Sequence, residues 1–165
     1  MADSTPKTTV NFVCTANVCR SPMAAALMRH ALSAEPPPLK DLKVISSGVS
    51  AMPGDRASLN SVDALKKVGI DLANHKSQRL SESMVREALA IICMTESHRA
   101  LIEMQFSPPL NHVFLMREFM DDPEMEIPDP FGMNFQAYEL TRDSMVEAIP
   151  SLLVKLRELT VSENK

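Results

Sequence analysis

The stretch FVCTANVCRSPMAAAL, residues 12–27, decides how the rest of the chain is interpreted. It passes from an apolar, strand-like segment into an alanine-rich segment that is typical of a helix. The turn between the two segments contains Cys14, Cys19, Arg20 and Ser21 but no glycine. We predict a strand that ends at Cys14 and a helix that follows the turn, with Ser21 as its N-cap and the next residue, a proline, at the first helical position.

The rest of the chain repeats this alternation of strands and helices. Apolar runs predict four strands, which begin near Thr8, Lys43, Ala88 and Asn111. Helices are predicted at residues 21–33, at residues 56–69, after Ser81, after Thr95 and from about Asn134, where Pro150 should kink or divide the last helix. Such alternation indicates a three-layer α/β fold, in which a central, twisted, four-stranded parallel sheet carries helices on both faces.

Composition and charge favour one globular domain. The chain has 165 residues, of which 45% are hydrophobic and 23% charged, which suits a single core. Its net charge of −4 disfavours broad binding to nucleic acid. No apolar run approaches the roughly 20 residues that span a bilayer, and the first residues show no apolar signal segment. We therefore expect one domain over residues 1–165 with a flexible segment at residues 1–7, monomeric, cytoplasmic and without membrane partners.

The turn from Cys14 to Ser21 has the features of an anion-binding loop. A loop that leads into a helix N-terminus directs free backbone N–H groups inwards, and the helix dipole adds positive potential. Arg20 contributes a planar fork that can bind two phosphate oxygens. The same potential stabilises a thiolate at Cys14, which follows a strand at the sheet edge where open parallel sheets bind ligands. The turn therefore predicts phosphate binding beside a nucleophilic sulfur.

Other interpretations of the cysteines are disfavoured. The turn lacks the glycine-rich run ending in Gly-Lys-Ser/Thr that defines a Walker-type phosphate loop. A metal site at Cys14 and Cys19 would need a second Cys/His pair at ligand spacing, and none follows. Cys93 lies within an apolar run and is expected to be a buried strand residue. With three cysteines and no export signal, we expect reduced thiols rather than a disulfide framework.

The segment VCTANVCRSPMA resembles the active-site loop of the low-molecular-weight protein tyrosine phosphatases, whose pattern is Cys-x5-Arg-Ser/Thr near the N-terminus. Further segments resemble the same family in the same order, namely SSGVSAMPGDRAS, GIDLANHKSQRL, ICMTESH and IPDPFG. The resemblance implies a phosphatase loop after the first strand and hydrolysis of phosphotyrosine in phosphorylated proteins through a phosphocysteine intermediate. Neither a metal nor an organic cofactor is expected, because the loop amides and Arg20 would neutralise the phosphate.

The resemblance also implies roles for individual residues. Cys14 would be the nucleophile, Arg20 would bind the phosphate and stabilise the transition state, and Asp129 would be the general acid and base. Ser21 would donate a hydrogen bond to the Cys14 thiolate, and Cys19 could form a reversible disulfide with Cys14 under peroxide. The phosphate-binding loop would comprise Thr15, Ala16, Asn17, Val18, Cys19, Arg20 and Ser21. Asn17, Ser46 and His75 would support this loop, and Met52 and Phe131 would form the pocket wall.

Departures from the family pattern bear on the loop and on the substrate. Ala16 stands where the family commonly has glycine, so the loop is either slightly strained or uses backbone angles that alanine tolerates. Phe131 is followed by Gly132 rather than by a second aromatic residue, which opens one wall of the pocket. Relatives that remove phosphate from arginine share such an acid loop but carry threonine at the position of Val18. The valine favours phosphotyrosine, with phosphoarginine as the alternative.

Two further functions are less favoured. A thioredoxin-coupled arsenate reductase would need a pair of relay cysteines further along the chain, where only Cys93 is available. A module that binds phosphoprotein without turnover is disfavoured because a nucleophile, an arginine and an acid are all present. Hydrolysis of a generic aryl phosphate separates an enzyme from such a module.

Overall fold

The computed structural model describes residues 5–107 and 111–165, and its centre is a four-stranded parallel sheet. The strands are β1 (Thr9–Cys14), β2 (Lys43–Gly48), β3 (Ala88–Cys93) and β4 (Val113–Leu115). The helices are α1 (Arg20–Ser33), α2 (Leu59–Lys66), α3 (Glu82–Glu87), α4 (Glu96–Gln105) and α5 (Phe135–Glu163), and a 3₁₀ turn lies at Leu39–Asp41. Among these described residues, no helix is both long and apolar enough to cross a membrane.

The order of the strands places β1 in the middle of the sheet. The order is β2-β1-β3-β4, and every pairing is parallel. Cys14 pairs with Gly48 on one side, and Val13 pairs with Cys93 on the other. Because parallel strands end at the same edge, the loops after β1, β2 and β3 meet there, with the loop after β1 between the other two.

Two apolar clusters cover the two faces of the sheet. Side chains alternate along a strand, so Phe12 of β1 packs in one cluster with residues of α1 and α5, such as Met28 and Leu152. Val13 points to the opposite face and packs in a second cluster with residues of α3 and α4, such as Ile102. Each large side chain buried in this way contributes about 1.5–3 kcal/mol relative to an exposed one. The three-layer α/β prediction is confirmed.

The first helix begins differently from the prediction. Arg20 is its first residue and Cys19 occupies the N-cap position. Ser21 therefore lies inside the first turn, so the prediction that it caps the helix is wrong, and Pro22 is the third helical residue rather than the first. The physical reason is that the Ser21 hydroxyl is buried and bonds to the loop before the helix instead of to the helix backbone.

The ends of α2 and α5 can be compared with the residues that commonly begin and end helices. Ser58 caps α2, because its side chain accepts a hydrogen bond from the Ser61 N–H, and Gly69 follows that helix with a φ of 80°. The last helix begins at Phe135, close to the predicted start near Asn134, is capped by Asn134 and continues through Pro150 as a single helix. Division at Pro150 is therefore excluded, because packing of the buried Leu152 outweighs the lost backbone hydrogen bond.

The start of the chain is only partly described. Of the segment predicted to be flexible, residues 1–4 lie outside the described residues. The backbone N–H of Lys7 donates to the Glu163 carboxylate at 2.9 Å, so the approach to β1 is linked to the end of α5.

Candidate active site

The loop between β1 and α1 curls around a small cavity at the edge of the sheet. The cavity has a volume of about 200 Å³. Its lining consists of Cys14, Thr15, Ala16, Val18, Cys19, Arg20, Asp129 and Phe131. The structure therefore brings together the cysteine, the arginine and the aspartate that the sequence analysis selected from two distant segments.

Asn17 holds the loop in shape. It is fully buried, and its φ of 60° gives the loop its left-handed turn, a conformation that asparagine tolerates better than most residues. Its amide nitrogen donates to the hydroxyls of Ser21 at 2.8 Å and Ser46 at 2.9 Å, and its amide oxygen accepts from the Gln78 N–H at 2.9 Å. Its backbone carbonyl contacts the His75 ring nitrogen at 2.7 Å. The three residues predicted to support the loop are thus joined at Asn17.

Ala16 adopts a conformation that alanine tolerates. Among the non-glycine residues that the structure describes, only Asn17 has a positive φ, so the missing glycine leaves no strain at position 16. The glycine that the loop does require is Gly48, at the end of β2. A Cβ there would lie 2.4 Å from the Thr15 carbonyl oxygen and 3.0 Å from the Asn17 nitrogen. The neighbouring strand therefore supplies the small residue that the turn itself lacks.

Cys14 lies at the floor of the cavity, with 3% of its surface exposed. Its sulfur is 2.9 Å from the Ser21 hydroxyl. Asn17 donates to that hydroxyl, so its proton can be given either to the sulfur or to the Ser47 carbonyl, which is 3.3 Å away. A Cys14 thiolate is the stronger and nearer acceptor, and Ser21 can therefore stabilise it.

The second cysteine of the loop points to different partners. The Cys19 sulfur lies 3.5 Å from the Ser58 hydroxyl and 3.7 Å from the Tyr138 hydroxyl, on the side of α2 and α5. Burial raises the pKa of Tyr138, which favours a neutral hydroxyl beside the thiol. Cys93 is fully buried in β3, and burial raises the pKa of its thiol. All three cysteines are free thiols.

Arg20 connects the loop to the segment that carries Asp129. It is 5% exposed, and one terminal nitrogen donates to the Ile127 carbonyl at 3.1 Å. Its other terminal nitrogen lies 3.6 Å from the Asp129 carboxylate. The Ile127 N–H donates to the carbonyl of Met94, just after β3, which fixes this segment to the sheet. The aspartate side chain is 54% exposed, so the ion pair adds at most about 1 kcal/mol and can give way to a bound anion.

The two residues predicted to form the wall have different positions. Phe131 lines the cavity with 73% of its surface exposed, and its N–H donates to the Asp129 carboxylate at 3.1 Å. Met52 is 71% exposed and is not among the described residues that line the cavity. The reason is the turn after β2, where the Met52 carbonyl accepts a hydrogen bond from Ser77 and the side chain is left in solvent.

Sequence analysis missed several residues that shape the site. Gly48, Gln78, Ser58 and Tyr138 contact the loop as described above, and His98 bonds to Thr15. The available signal for His98 was a threonine three residues earlier, which caps α4 and lies two residues after the end of β3. Among residues 5–107 and 111–165, no group of three or more His, Cys, Asp or Glu side chains could hold a metal ion.

The chain is similar throughout to known phosphatases. A model of the family described as low molecular weight phosphotyrosine protein phosphatase matches residues 9–162. A protein-arginine-phosphatase of Bacillus subtilis is 35% identical over 147 residues, which cover 89% of this chain and 95% of the relative. A probable low molecular weight protein-tyrosine-phosphatase, EpsP of Ralstonia solanacearum, is 30% identical over 151 residues, with 92% and 97% covered.

A solved structure gives the same result for the fold. A low molecular weight protein tyrosine phosphatase from T. tengcongensis has a TM-score of 0.81 to this chain and is 34% identical. The match covers 89% of this chain and 98% of that one.

Proposed function

The chain belongs to the low molecular weight phosphotyrosine protein phosphatase family, and from this premise we propose that it hydrolyses phosphorylated protein side chains in the cavity at Cys14. One observation carries the proposal, which is that Cys14, Arg20 and Asp129 line the same cavity. A buried sulfur, a phosphate-binding fork and an exposed carboxylate are the three groups that transfer of a phosphoryl group to cysteine requires.

In the first step, the phosphoryl group lies in the loop, between the backbone N–H groups and the free part of the Arg20 fork. The Cys14 thiolate attacks phosphorus, a P–S bond forms, and the bond between phosphorus and the side chain of the substrate breaks. Asp129 lies at the exposed rim of the cavity and donates its proton to the departing atom.

In the second step, Asp129 acts as a base. Its carboxylate takes a proton from a water molecule, whose oxygen attacks phosphorus, and the P–S bond breaks. The leaving group is now the Cys14 thiolate, which the Ser21 hydroxyl stabilises at a distance of 2.9 Å. Inorganic phosphate is released and the cysteine and aspartate return to their starting states.

Replacing Asp129 with asparagine should lower kcat/KM, which reports the first step alone, by about 10²-fold for an alkyl or poorly activated aryl phosphate, because the departing oxygen loses its proton donor. The loss should be much smaller for p-nitrophenyl phosphate, whose leaving group needs less protonation. Steady-state kinetics with a series of aryl phosphates of graded leaving-group pKa measures this dependence.

Asp121→Asn is the matched control, since this aspartate is exposed, lies in the segment before Asp129 and does not line the cavity. Its kinetics should equal those of the wild type. An equal loss of kcat/KM for every leaving group in Asp129→Asn would contradict the role of general acid.

We further propose phosphotyrosine as the substrate, with phosphoarginine as the second candidate. Val18 lines the cavity and is partly buried, and the ring of Phe131 is exposed at the rim, so both can pack against an aromatic substrate. Phosphoarginine is favoured by the 35% identity to the arginine phosphatase of Bacillus subtilis and by Gly132, which leaves one side of the rim open.

Two peptides of one sequence, carrying phosphotyrosine or phosphoarginine at the same position, separate the candidates. We expect a higher kcat/KM for the phosphotyrosine peptide, and we expect Val18→Thr to shift the ratio towards phosphoarginine, because the hydroxyl can bond to a guanidinium. A higher kcat/KM for the phosphoarginine peptide with the wild type would reverse the assignment, without affecting the proposed chemistry at Cys14.

Several expectations about the setting of the enzyme stay predictions. We propose one domain over residues 1–165, acting as a cytoplasmic monomer on phosphoproteins, with neither nucleic acid nor membrane as partner and without a metal or an organic cofactor. The net charge of −4 supports the choice of partner, since nucleic acid and anionic lipid both require a basic surface.

A further inference from the structure

His98 lies in the first turn of α4, behind the phosphate-binding loop, and is 3% exposed. Both of its ring nitrogens are engaged. Nε2 is 2.9 Å from the Thr15 hydroxyl, and Nδ1 is 3.0 Å from the Thr95 hydroxyl. The backbone N–H of His98 also donates to the Thr95 hydroxyl oxygen, at 3.3 Å. Hydrogen bonds therefore join three side chains into a fixed chain that ends at Thr15, the residue that follows Cys14.

We propose that this chain turns the hydroxyl proton of Thr15 into the cavity, so that Thr15 binds a phosphoryl oxygen through its side chain and His98 is the positioning residue that orients it. The inference rests on the proposed function, because it requires that the cavity binds a phosphoryl group. It adds a side-chain donor to the backbone N–H groups and Arg20.

The direction of the hydrogen bonds from Thr95 through His98 to Thr15 follows from the number of protons that the three side chains carry. In one arrangement Thr95 donates to Nδ1, the Nε2–H donates to Thr15, and the Thr15 proton is left for a ligand. In the other arrangement Thr15 donates to Nε2 and directs only lone pairs away from the ring. Lone pairs would repel phosphoryl oxygens, whereas a free O–H would form a charge-assisted hydrogen bond to them. An anion in the cavity therefore selects the arrangement with a proton on Nε2.

The charge of the ring is compatible with this arrangement. The pKa of His98 is lowered to about 4, chiefly by burial and also by the nearby Arg20 cation, whereas Asp129 opposes the shift. The ring is consequently neutral near pH 7 and has one donor and one acceptor nitrogen, as the chain requires. A doubly protonated ring would leave Thr95 without an acceptor on the ring for its proton.

The backbone of Thr15 is fixed independently of its side chain. The Thr15 carbonyl accepts from the Ser50 N–H at 3.0 Å, and Gly48 allows the close approach of β2 at this point. Thr15 lines the cavity and is itself exposed. Removing the hydroxyl should therefore change ligand binding more than it changes the fold.

The test measures inhibition by inorganic phosphate and KM for p-nitrophenyl phosphate. Thr15→Val, which keeps the shape of the side chain, should weaken phosphate binding by about tenfold and raise KM similarly, as expected for loss of one hydrogen bond to a charged group. Thr15→Ser keeps the hydroxyl and should stay near the wild type. His98→Leu should reproduce the effect of Thr15→Val, and His98→Gln, whose amide N–H reaches the Nε2 position, should restore most of the affinity.

A double variant and a control complete the design. Thr15→Val combined with His98→Leu should be no weaker than either single variant, because both remove the same interaction. His112→Gln is the matched control, since His112 also bonds through Nε2, to the Val85 carbonyl, but lies away from the cavity. Its phosphate affinity should equal that of the wild type. Nitrogen NMR of the phosphate complex should show His98 protonated on Nε2 alone.

The outcomes separate the inference from the proposed function. Wild-type protein that neither binds phosphate nor turns over the aryl phosphate would overturn the proposed function. Phosphate binding that is tight in the wild type and equally tight in Thr15→Val would overturn the inference alone, and so would a proton on Nδ1 of His98. If His98→Leu does not fold, the Thr15 variants and the NMR spectrum still decide.

Discussion

Replacing Cys14 with serine should lower the turnover of p-nitrophenyl phosphate by at least about 10⁴-fold. In the proposed mechanism the cysteine attacks as a thiolate, which the loop N–H groups, the helix dipole and the Ser21 hydroxyl would stabilise, whereas a serine hydroxyl is a much weaker nucleophile in the same place. Serine is close to cysteine in size, so the loop and its contact to Ser21 should be kept. Steady-state kinetics at neutral pH, with thermal unfolding to verify the fold, measures the loss.

Cys19→Ser shows whether the loss is specific to one sulfur. Cys19 contacts Ser58 and Tyr138 on the far side of the loop, and a hydroxyl can take over both contacts. This variant should therefore lose far less activity than Cys14→Ser. Equal losses in the two variants would show that any change in the loop abolishes activity, and activity in Cys14→Ser near that of the wild type would remove Cys14 from the mechanism.

Arg20→Lys should lower kcat/KM by about 10³-fold, although the positive charge is retained. One terminal nitrogen of Arg20 already donates to the Ile127 carbonyl, and the rest of the fork is available to the phosphoryl oxygens. A single ammonium group cannot hold the Ile127 segment and bind two oxygens in the same geometry. Both KM and kcat should change, because in the proposed mechanism the fork binds the phosphoryl group in the ground state and in the transition state.

Arg29→Lys provides a control on the same helix. Arg29 also donates to a backbone carbonyl, that of Val44, but it lies outside the cavity. Its kinetics should match the wild type. A loss in Arg20→Lys no larger than that in Arg29→Lys would mean that Arg20 acts through charge alone and that its fork has no part in binding phosphate.

The fold could be predicted from the sequence because the signals for strands and helices are local. The alternation of apolar runs with helices predicted after Ser81, after Thr95 and from about Asn134 identifies the elements, and in the structure each of these three residues is the N-cap of its helix. Parallel pairing then follows from the connections. The order of the strands places the loop after β1 between its neighbours, which is why a short motif in one turn indicated where the site lies.

The contacts of the loop could not be predicted in the same way, because they depend on segments far apart in the chain. Ser21 is a suitable N-cap by type, yet its hydroxyl bonds to Cys14 and Asn17 instead. The alanine at position 16 is tolerated because the left-handed turn falls on Asn17, and Gly48 on another strand leaves room for the neighbouring loop backbone at Thr15 and Asn17. The residue type at Ser21 alone predicts a helix cap, and the residue type at Ala16 alone says nothing about the neighbouring strand on which the loop depends.

The positions of two further side chains near the loop also could not be predicted from the sequence. Met52 was expected on the pocket wall but stays in solvent, since the turn after β2 is held by its backbone. His98 had no assigned role, although its ring is fully bonded and reaches the loop. In both cases the sequence indicates the element, and only the packing of one loop against another decides where the side chain points.

The central claim is that the phosphoryl group is transferred to Cys14. Rapid acid quenching of the wild type during turnover of p-nitrophenyl phosphate, followed by peptide mapping with mass spectrometry, tests it most directly. We predict one phosphoryl group on the peptide that contains Cys14, an increased yield of it in Asp129→Asn, whose second step is slowed, and none on the corresponding peptide of Cys14→Ala. A phosphoryl group on a different residue, or rapid turnover with no phosphorylated peptide in either protein, would contradict the account.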